Sequence, residues 1–311
     1  MTAGGLAGAA PAGFVRDPAI PVHLVTVAYG SDDALPAFFA SLQAQTGIDW
    51  RLTVIENASP AGRSALLDRL DDPRIALLRN TANLGFARAV NQGLRRAVGQ
   101  GADFVMLINN DICFAPDFLA ALLRQRDALA APVIAPRVMD MHDVARSWYA
   151  GGHFQRDWVI TNIHESFDPQ DTRAARAVEF ASGCCLGIMT AVLREVGLLD
   201  ESFFVYWEDS DFCLRLQARG IPILYVRDPF LRHIGGASSG GEGTASYQRL
   251  YFAAYAVFLA KHFGRQGAIK GFLRLTMKHF GRENADWRMA TRAMFAMLRG
   301  LARRLRPEPR L

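Results

Sequence analysis

The run Phe104-Val105-Met106-Leu107-Ile108 constrains this chain more than any other stretch, because it is apolar without a break and turns polar at once in Asn109-Asn110-Asp111. A strand with one wet face alternates, whereas an unbroken run of this length reads as a strand buried on both faces. In an open α/β sheet the ligand lies outside the carboxyl ends of such strands. Asn109, Asn110 and Asp111 therefore stand where chemistry is expected. A carboxylate flanked by amides offers hard oxygen ligands, suited to Mg²⁺ or Mn²⁺ on a diphosphate. The same three residues also suit a plain Asx turn at a strand end.

The segments before this strand alternate at βαβ lengths. Val22–Ala28 reads as a strand, and Asp33–Gln45 as a helix with Leu35, Phe38, Phe39 and Leu42 on one face. Leu52–Ile55 is a strand ending in Glu56-Asn57-Ala58-Ser59, followed by a helix over 61–70 and a strand at Ile75–Leu78. Asn83–Val98 is helical, with Phe86, Val90, Leu94 and Val98 four apart. This order predicts a mostly parallel sheet with right-handed crossovers. No Gly-x-Gly-x-x-Gly or Gly-Lys-Ser/Thr loop follows the first strand, so neither the dinucleotide fingerprint nor the Walker loop applies. The polar groups gather instead at successive strand ends. Thr26, Ala28, Tyr29, Glu56, Asn57, Asn109 and Asn110 form an array that suits a base, a ribose and a diphosphate with one metal.

Farther on, Ala115–Leu129 is helical and residues 131–180 read as less regular. Trp148-Tyr149-Ala150-Gly151-Gly152-His153-Phe154 is an aromatic loop; aromatic faces pack on sugar rings and equally well in cores. Small residues crowd Phe180–Gly187, around Gly183, which lets backbone or ligand approach closely. In Phe203-Phe204-Val205-Tyr206-Trp207-Glu208-Asp209-Ser210-Asp211, three carboxylates follow five apolar or aromatic residues and precede an amphipathic helix. Acids complement a helix N-terminus, which explains one or two of them. A carboxylate against an aromatic wall can also be tuned as a general base. His233, after Tyr225-Val226, is a candidate for a metal or phosphate.

These residues together resemble the family 2 glycosyltransferases, inverting enzymes of GT-A fold, and within them the rhamnosyltransferase-type branch. The resemblance covers Val22 to Phe263. It is carried by Val54–Ser59, by Asn80-x-x-Asn83-x-Gly85-Phe86-Ala87-x-x-x-Asn91-x-Gly93, and by Leu107–Asp111. Ser182-Gly183, Gly197-x-x-Asp200-Glu201-x-Phe203-Phe204, Trp207-Glu208-Asp209-x-Asp211-x-Cys213-x-Arg215, and His233 with Ser238 complete it in the family's order. The resemblance implies an α/β fold with a GT-A-type mixed sheet. It places Glu56 where the family usually has Asp against the nucleobase, with Asn57, Asn83, Gly85 and Asn91 also on the donor side. Asn109-Asn110-Asp111 takes the place of the Asp-x-Asp metal motif, leaving Asp111 as its acid and His233 as its possible partner. Asp209 matches the catalytic base, flanked by Glu208 and Asp211. Trp148, Gly152, Gly183 and Trp207 fall on the acceptor side. The implied partners are a nucleoside-diphosphate sugar, rhamnose favoured, and a hydroxyl of a glycan or lipid-linked glycan in polysaccharide assembly; nucleic acid is not among them.

The chemistry needs those residue types. The acceptor hydroxyl must lose a proton as it attacks the anomeric carbon opposite the leaving nucleoside diphosphate. That takes one carboxylate base and a divalent cation, Mg²⁺ or Mn²⁺, on the diphosphate. Two other classes fit parts of the pattern. Asparagine at 109 and 110 suits an inactive nucleotide-sugar-binding protein, while a nucleotidyltransferase would need a Gly-rich basic loop after the first strand.

Composition sets the surroundings. Four cysteines without a Cys-x-x-Cys pair suit reduced thiols and a cytoplasmic setting. Residues 1–21, rich in Ala, Gly and Pro, read as a disordered lead rather than a signal peptide. No uncharged apolar stretch reaches the length of a spanning helix. The net charge of +5 is uneven: from Lys261 onward thirteen Lys or Arg stand against three acids. This predicts a catalytic domain over 22–240 and basic amphipathic helices over 241–311. The apolar faces are Ile269, Phe272, Leu273 and Met277, then Met294, Phe295, Leu298 and Leu301. Such helices lie peripherally on an anionic membrane surface or pack on the domain.

Overall fold

A computed structural model describes residues 22–143, 146–156, 160–234 and 244–280. The expected lead over 1–21, Ser238 and the basic face beyond Phe280 lie outside the described residues. The first half runs β1 (His23–Ala28), α1 (Leu35–Gln43), β2 (Arg51–Glu56), α2 (Ala65–Asp68), β3 (Ile75–Arg79), α3 (Phe86–Gly99) and β4 (Phe104–Ile108). There β1 pairs in parallel with β2 and β4, and β2 with β3. All five residues of β4 are buried, as the unbroken run requires. Helix α3 lies on β1 and β2 at Gly93, where a Cβ would stand 2.3 Å from Val25 and 3.0 Å from Ile55.

Two helices begin later than their periodicity suggests, for local reasons. The Ser64 side chain accepts from the Leu67 N–H and confines α2 to one turn. Asn57 and Asn83 tie down the loop before α3, and Gly85, at φ 84°, starts the helix only at Phe86.

The second half is more ordered than its sequence suggests. It contains β5 (Ile112–Phe114), α4 (Phe118–Leu129), β6 (Val133–Asp140), β7 (Ser147–Tyr149), β8 (Gly152–Arg156), β9 (Ile160–His164) and β10 (Ala175–Val178). These are followed by β11 (Cys185–Met189), α5 (Thr190–Val196), α6 (Glu208–Ala218), β12 (Ile223–His233) and α7 (Ala245–Phe280). The main sheet has ten strands and runs β10-β12-β6-β11-β4-β1-β2-β3, with β5 and β7 as side branches. β11 is antiparallel to both β4 and β6, so the sheet is mixed beyond β4. β6 escapes sequence reading because Pro136 and Arg137 interrupt it. Arg137 is nevertheless buried, over the rings of Phe167 and Phe230 and paired with Asp228.

Past residue 240 the chain continues into α7, which packs on the catalytic domain. Residues Ala254–Ala260 of α7 are buried, and Tyr255, Val257, Phe258 and Leu259 belong to the same apolar core as β1 and β4. α7 breaks at Gly264, φ 66°, and Gly271 then faces Leu259 and Tyr255 closely enough that a Cβ would meet Leu259 at 2.0 Å. No helix among the described residues is long and apolar enough to cross a membrane.

Candidate active site

The strand ends of β1, β2 and β4 meet as expected, but most of their polar groups hold the loops rather than face an opening. Glu56 is 5% exposed, and its carboxylate accepts from the Ser64 N–H and from Arg79 Nε, each at 2.6 Å. Each carboxylate oxygen thus binds one protein donor. Asn57 is buried, donates to Asn83 Oδ1 and the Gly85 carbonyl, and accepts from Asn80 Nδ2 and the Leu84 N–H. Asn91 is fully buried; its Nδ2 donates to the Leu199 carbonyl and Glu201, and its Oδ1 accepts from the Leu199 N–H. It joins α3 to the 199–201 loop. Thr26 and Ala28 are buried in β1 as well, whereas Tyr29 and Asn83 are half-buried at the rim. At Gly85 a Cβ would lie 2.4 Å from the Phe204 carbonyl oxygen, so this glycine serves close backbone packing.

Asn109-Asn110-Asp111 continues β4 into β5, and β5 pairs antiparallel with the end of β12, placing Ile112 opposite His233. The register thus brings together two residues far apart in sequence: His233 Nε2 stands 3.0 Å from Asp111 Oδ1. Asn110 donates to the Val27 carbonyl and locks the end of β4 to β1, while Asn109 Nδ2 lies 3.4 Å from His233 Nε2. Trp148 sets its ring edge-on to His233 at 4.7 Å and to His164 at 5.0 Å. Burial alone would lower the His233 pKa, but Cys184 and Asp111 beside it outweigh burial and raise it to about 10.

Among the described residues, no three His, Cys, Asp or Glu gather to hold a metal. Asp111 Oδ1 is buried with His233 Nε2 at 3.0 Å beside it, and His233 Nδ1 is buried without a hydrogen-bond partner among the described residues. One carboxylate and one imidazole, which gives up its proton as the ion binds, fit an ion that brings most of its oxygen ligands on a diphosphate and in water.

The second acidic cluster is built differently. Tyr206 and Trp207 both adopt left-handed backbone, φ 70° and 68°, immediately before α6. Such conformations cost on the order of 1–3 kcal/mol each and persist only where the surroundings over-determine them. Here α7 supplies the surroundings. Trp207 stacks on Tyr255 at 4.5 Å and packs on Phe258 at 4.8 Å, and Tyr206 meets Tyr247 at 5.0 Å. Trp207 is therefore buried beneath α7.

The three acids then face three environments. Asp211 is fully buried, with Arg215 Nε at 2.8 Å, Lys261 Nζ at 3.0 Å and His262 Nε2 at 2.8 Å. Burial pushes this carboxyl up, but His262, Arg215 and Lys261 outweigh it and hold it well below the usual carboxylate range. Asp211 is a tie between α6 and α7, not a free base. Glu208 is buried with Oε2 unpartnered, and burial followed by the Asp209 charge raises it to about 8. Asp209 is half-buried. Its carboxylate accepts from the Gly183 N–H at 3.2 Å, the Ser210 N–H at 2.7 Å and the Ser210 hydroxyl at 3.3 Å. Burial raises its pKa and these donors oppose that. Where two neighbouring carboxyls differ in this way, the one with fewer donors keeps the proton and the one with more ionises.

Gly183 leaves its α-carbon face open beside Asp209 and Phe86, at 3.7 and 3.9 Å from a Cβ placed there. Gly152 has no such room: a Cβ would meet Phe180 at 2.8 Å, so it is a packing residue. His164, which the sequence did not single out, stacks on Phe180 at 5.3 Å, accepts Trp148 against its edge, and contributes favourably to the Asp209 charge. Arg79, Lys261 and His262 were likewise missed; their partners come from distant segments, and no local pattern marks them.

The glycosyl transferase family 2 model matches residues 24–197. An N-acetylglucosaminyl-diphospho-decaprenol L-rhamnosyltransferase of Mycobacterium tuberculosis is 28% identical over 268 residues, which are 78% of this chain and 85% of that one. A dTDP-rhamnosyl transferase of Shigella flexneri is 24% identical over 220 residues, 70% of each chain. Among solved structures, the mannosyltransferase PcManGT of Pyrobaculum calidifontis, in complex with GDP-Man and Mn²⁺, aligns at a TM-score of 0.55 and 15% identity over 91% of this chain and 75% of its own. GalNAc-T7 with UDP, GalNAc and Mn²⁺ aligns at 0.56 and 16% identity over 88% of this chain, which spans 56% of that longer one. At these identities the two structures speak for the fold, which is GT-A.

Proposed function

The chain belongs to glycosyl transferase family 2 and is a glycosyltransferase of glycan biosynthesis, and from that premise we propose that it transfers rhamnose, with inversion, from a nucleoside diphosphate to a hydroxyl of a lipid-linked glycan. The observation that carries this reading is the contrast within the second acidic cluster: of three adjacent acids, only Asp209 is half-exposed, held by backbone and hydroxyl donors, and free of a cationic partner.

Asp209 accepts the proton of the acceptor hydroxyl as that oxygen attacks the anomeric carbon. The bond to the diphosphate breaks with its electron pair on the departing phosphate oxygen, and one displacement inverts the anomeric centre. Asp111 and His233 are the residues to hold a divalent cation, which supplies positive charge to the leaving diphosphate when bound. Asn109 and Asn83 offer amides on the donor side, and Trp148 covers His233 against water. Both rhamnosyltransferase relatives favour rhamnose as the sugar, and the mycobacterial one favours a diphospho-prenol acceptor. For such an acceptor a peripheral membrane position follows. Ile269 and Phe263, 58% and 45% exposed beside Lys270, support that position.

The test is transfer from a panel of dTDP-, UDP- and GDP-sugars with Mn²⁺ to a prenyl-diphosphate-linked N-acetylglucosamine, with the product anomer read by NMR. The expected result is turnover with dTDP-rhamnose and a single inverted product. A retained anomer overturns the one-step reading. Nucleotide-sugar binding with neither transfer nor hydrolysis points to an inactive binding protein.

A further inference from the structure

Beside the buried Trp207, three tyrosines form a second aromatic group of different character. Tyr206 comes from the strained loop, three residues before Asp209, and Tyr247 and Tyr251 come from the first turns of α7. The rings of Tyr247 and Tyr251 are stacked at 5.6 Å and 15°, and Tyr206 stands against them at 5.0 and 5.9 Å. All three are half-buried, unlike Trp207, Tyr255 and Phe258 beneath them. Phe86 and Phe204, also half-buried, come from the other side of the same loop, and the Phe86 N–H donates to the Phe204 carbonyl.

We propose that Tyr206, Tyr247 and Tyr251 are a stacking platform for a pyranose ring of the acceptor, so that α7 supplies part of the acceptor site. This rests on the glycosyl-transfer reading of Asp209. Two adjacent left-handed residues send Trp207 into the core and leave Tyr206 half-open on the loop that carries Asp209. A core needs apolar rings, whereas a sugar needs an apolar face with polar edges, which tyrosine provides. The diphosphate has its place at the Asp111–His233 end.

The experiment measures the affinity of the full chain for two probes by calorimetry: dTDP with Mn²⁺, and N-acetylglucosaminyl diphosphate on a short prenyl chain. Tyr247→Leu keeps apolar bulk and removes the flat ring, while Tyr247→Phe keeps the ring. We expect Tyr247→Leu to weaken glycan binding about fivefold to tenfold, Tyr247→Phe to restore most of it, and neither to move dTDP affinity. Unchanged glycan affinity in Tyr247→Leu overturns the platform. Parallel loss of both probes overturns it too, because the ring would then only brace the loop. Wild-type protein that binds dTDP but not the glycan overturns the platform alone, and wild-type protein that binds neither overturns the transfer reading with it.

Discussion

The two acidic ends of the site are built on opposite plans. Asp111 is placed by the sheet: β4 delivers it, Asn110 ties that strand end to β1, and the β5–β12 pairing brings His233 within 3.0 Å. Asp209 is placed by packing: two left-handed residues, rings from α7 and the Asp211 ion cluster hold the start of α6. Backbone ladders set position by register, and a change of side chain leaves the strand where it is. A packed corner depends on every side chain in it. The base end should therefore be the sensitive one, to substitutions well away from Asp209 as well as to those at it.

Asp209→Asn gives the largest expected effect. The amide fills the same space and cannot take the proton, so turnover falls about 10²- to 10⁴-fold while nucleotide affinity stays; steady-state kinetics and calorimetry read the two separately. Near wild-type turnover would move the base to Glu208. Next comes Asp211→Asn, which leaves Lys261, His262 and Arg215 around an uncharged amide. Removing one partner of a buried ion cluster costs about 3–5 kcal/mol, measured by urea unfolding. At temperatures where the variant is folded, dTDP affinity should hold while turnover drops. Equal loss at both ends would show that the corner is not a separate unit.

Glu208 tests the same corner through pH. Its folded pKa of about 8 lies above the ordinary carboxyl value of 4.5, so the native state holds a proton that the unfolded chain releases. Stability from this group is present below about pH 4.5 and is lost as pH rises through 8. Wild-type protein should lose stability steadily across that window, and Glu208→Gln should flatten the slope. A variant with the wild-type pH slope would place the buried proton elsewhere. At the other end, Asp111→Asn should weaken the Mn²⁺-dependent part of dTDP binding about 10- to 100-fold, by analogy with losses around metal sites. Its unfolding midpoint should fall less than that of Asp211→Asn, because the sheet holds the strand end and one partner, His233, is left where Asp211→Asn leaves three. A large fall in stability there would erase the distinction between the two plans.

What could be read in the chain follows the same division. The parallel half was legible because each strand is a short apolar run and each helix repeats its apolar positions three and four apart; β4 matched its run residue for residue. The candidate acids Asp111 and Asp209 were legible because polar residues end abruptly apolar segments. What those polar residues do was less so. Glu56, Asn57 and Asn91 also hold Arg79, Asn83 and Leu199, which nothing local in the sequence shows. Trp207 and Tyr206 are neighbours of one kind in the chain, and only their backbone angles and the arrival of α7 send one inward and leave the other half-open. β6 was missed since a buried arginine breaks its apolar run.

The smallest effect concerns the far half of α7, and it asks whether one helix serves two ends independently. Before the break at Gly264 the helix holds the base corner; after it, Ile269 is 58% exposed and Lys270 is exposed beside it. An exposed isoleucine next to a lysine is what a peripheral contact with an anionic leaflet uses: the side chain enters the acyl boundary and the cation meets the headgroups. Each such lysine adds about 1 kcal/mol near the surface, and burying part of one isoleucine adds a similar amount. Ile269→Asp should therefore reduce flotation with anionic vesicles about threefold to tenfold, with the difference shrinking in high salt. Turnover on a detergent-dispersed acceptor should be unchanged, since Gly264 separates Ile269 from Lys261 and His262. If turnover falls along with flotation, the two halves of α7 act as one body, and the corner that holds Asp209 extends past the break. If neither variant nor wild type floats, the exposed isoleucine faces something other than a membrane.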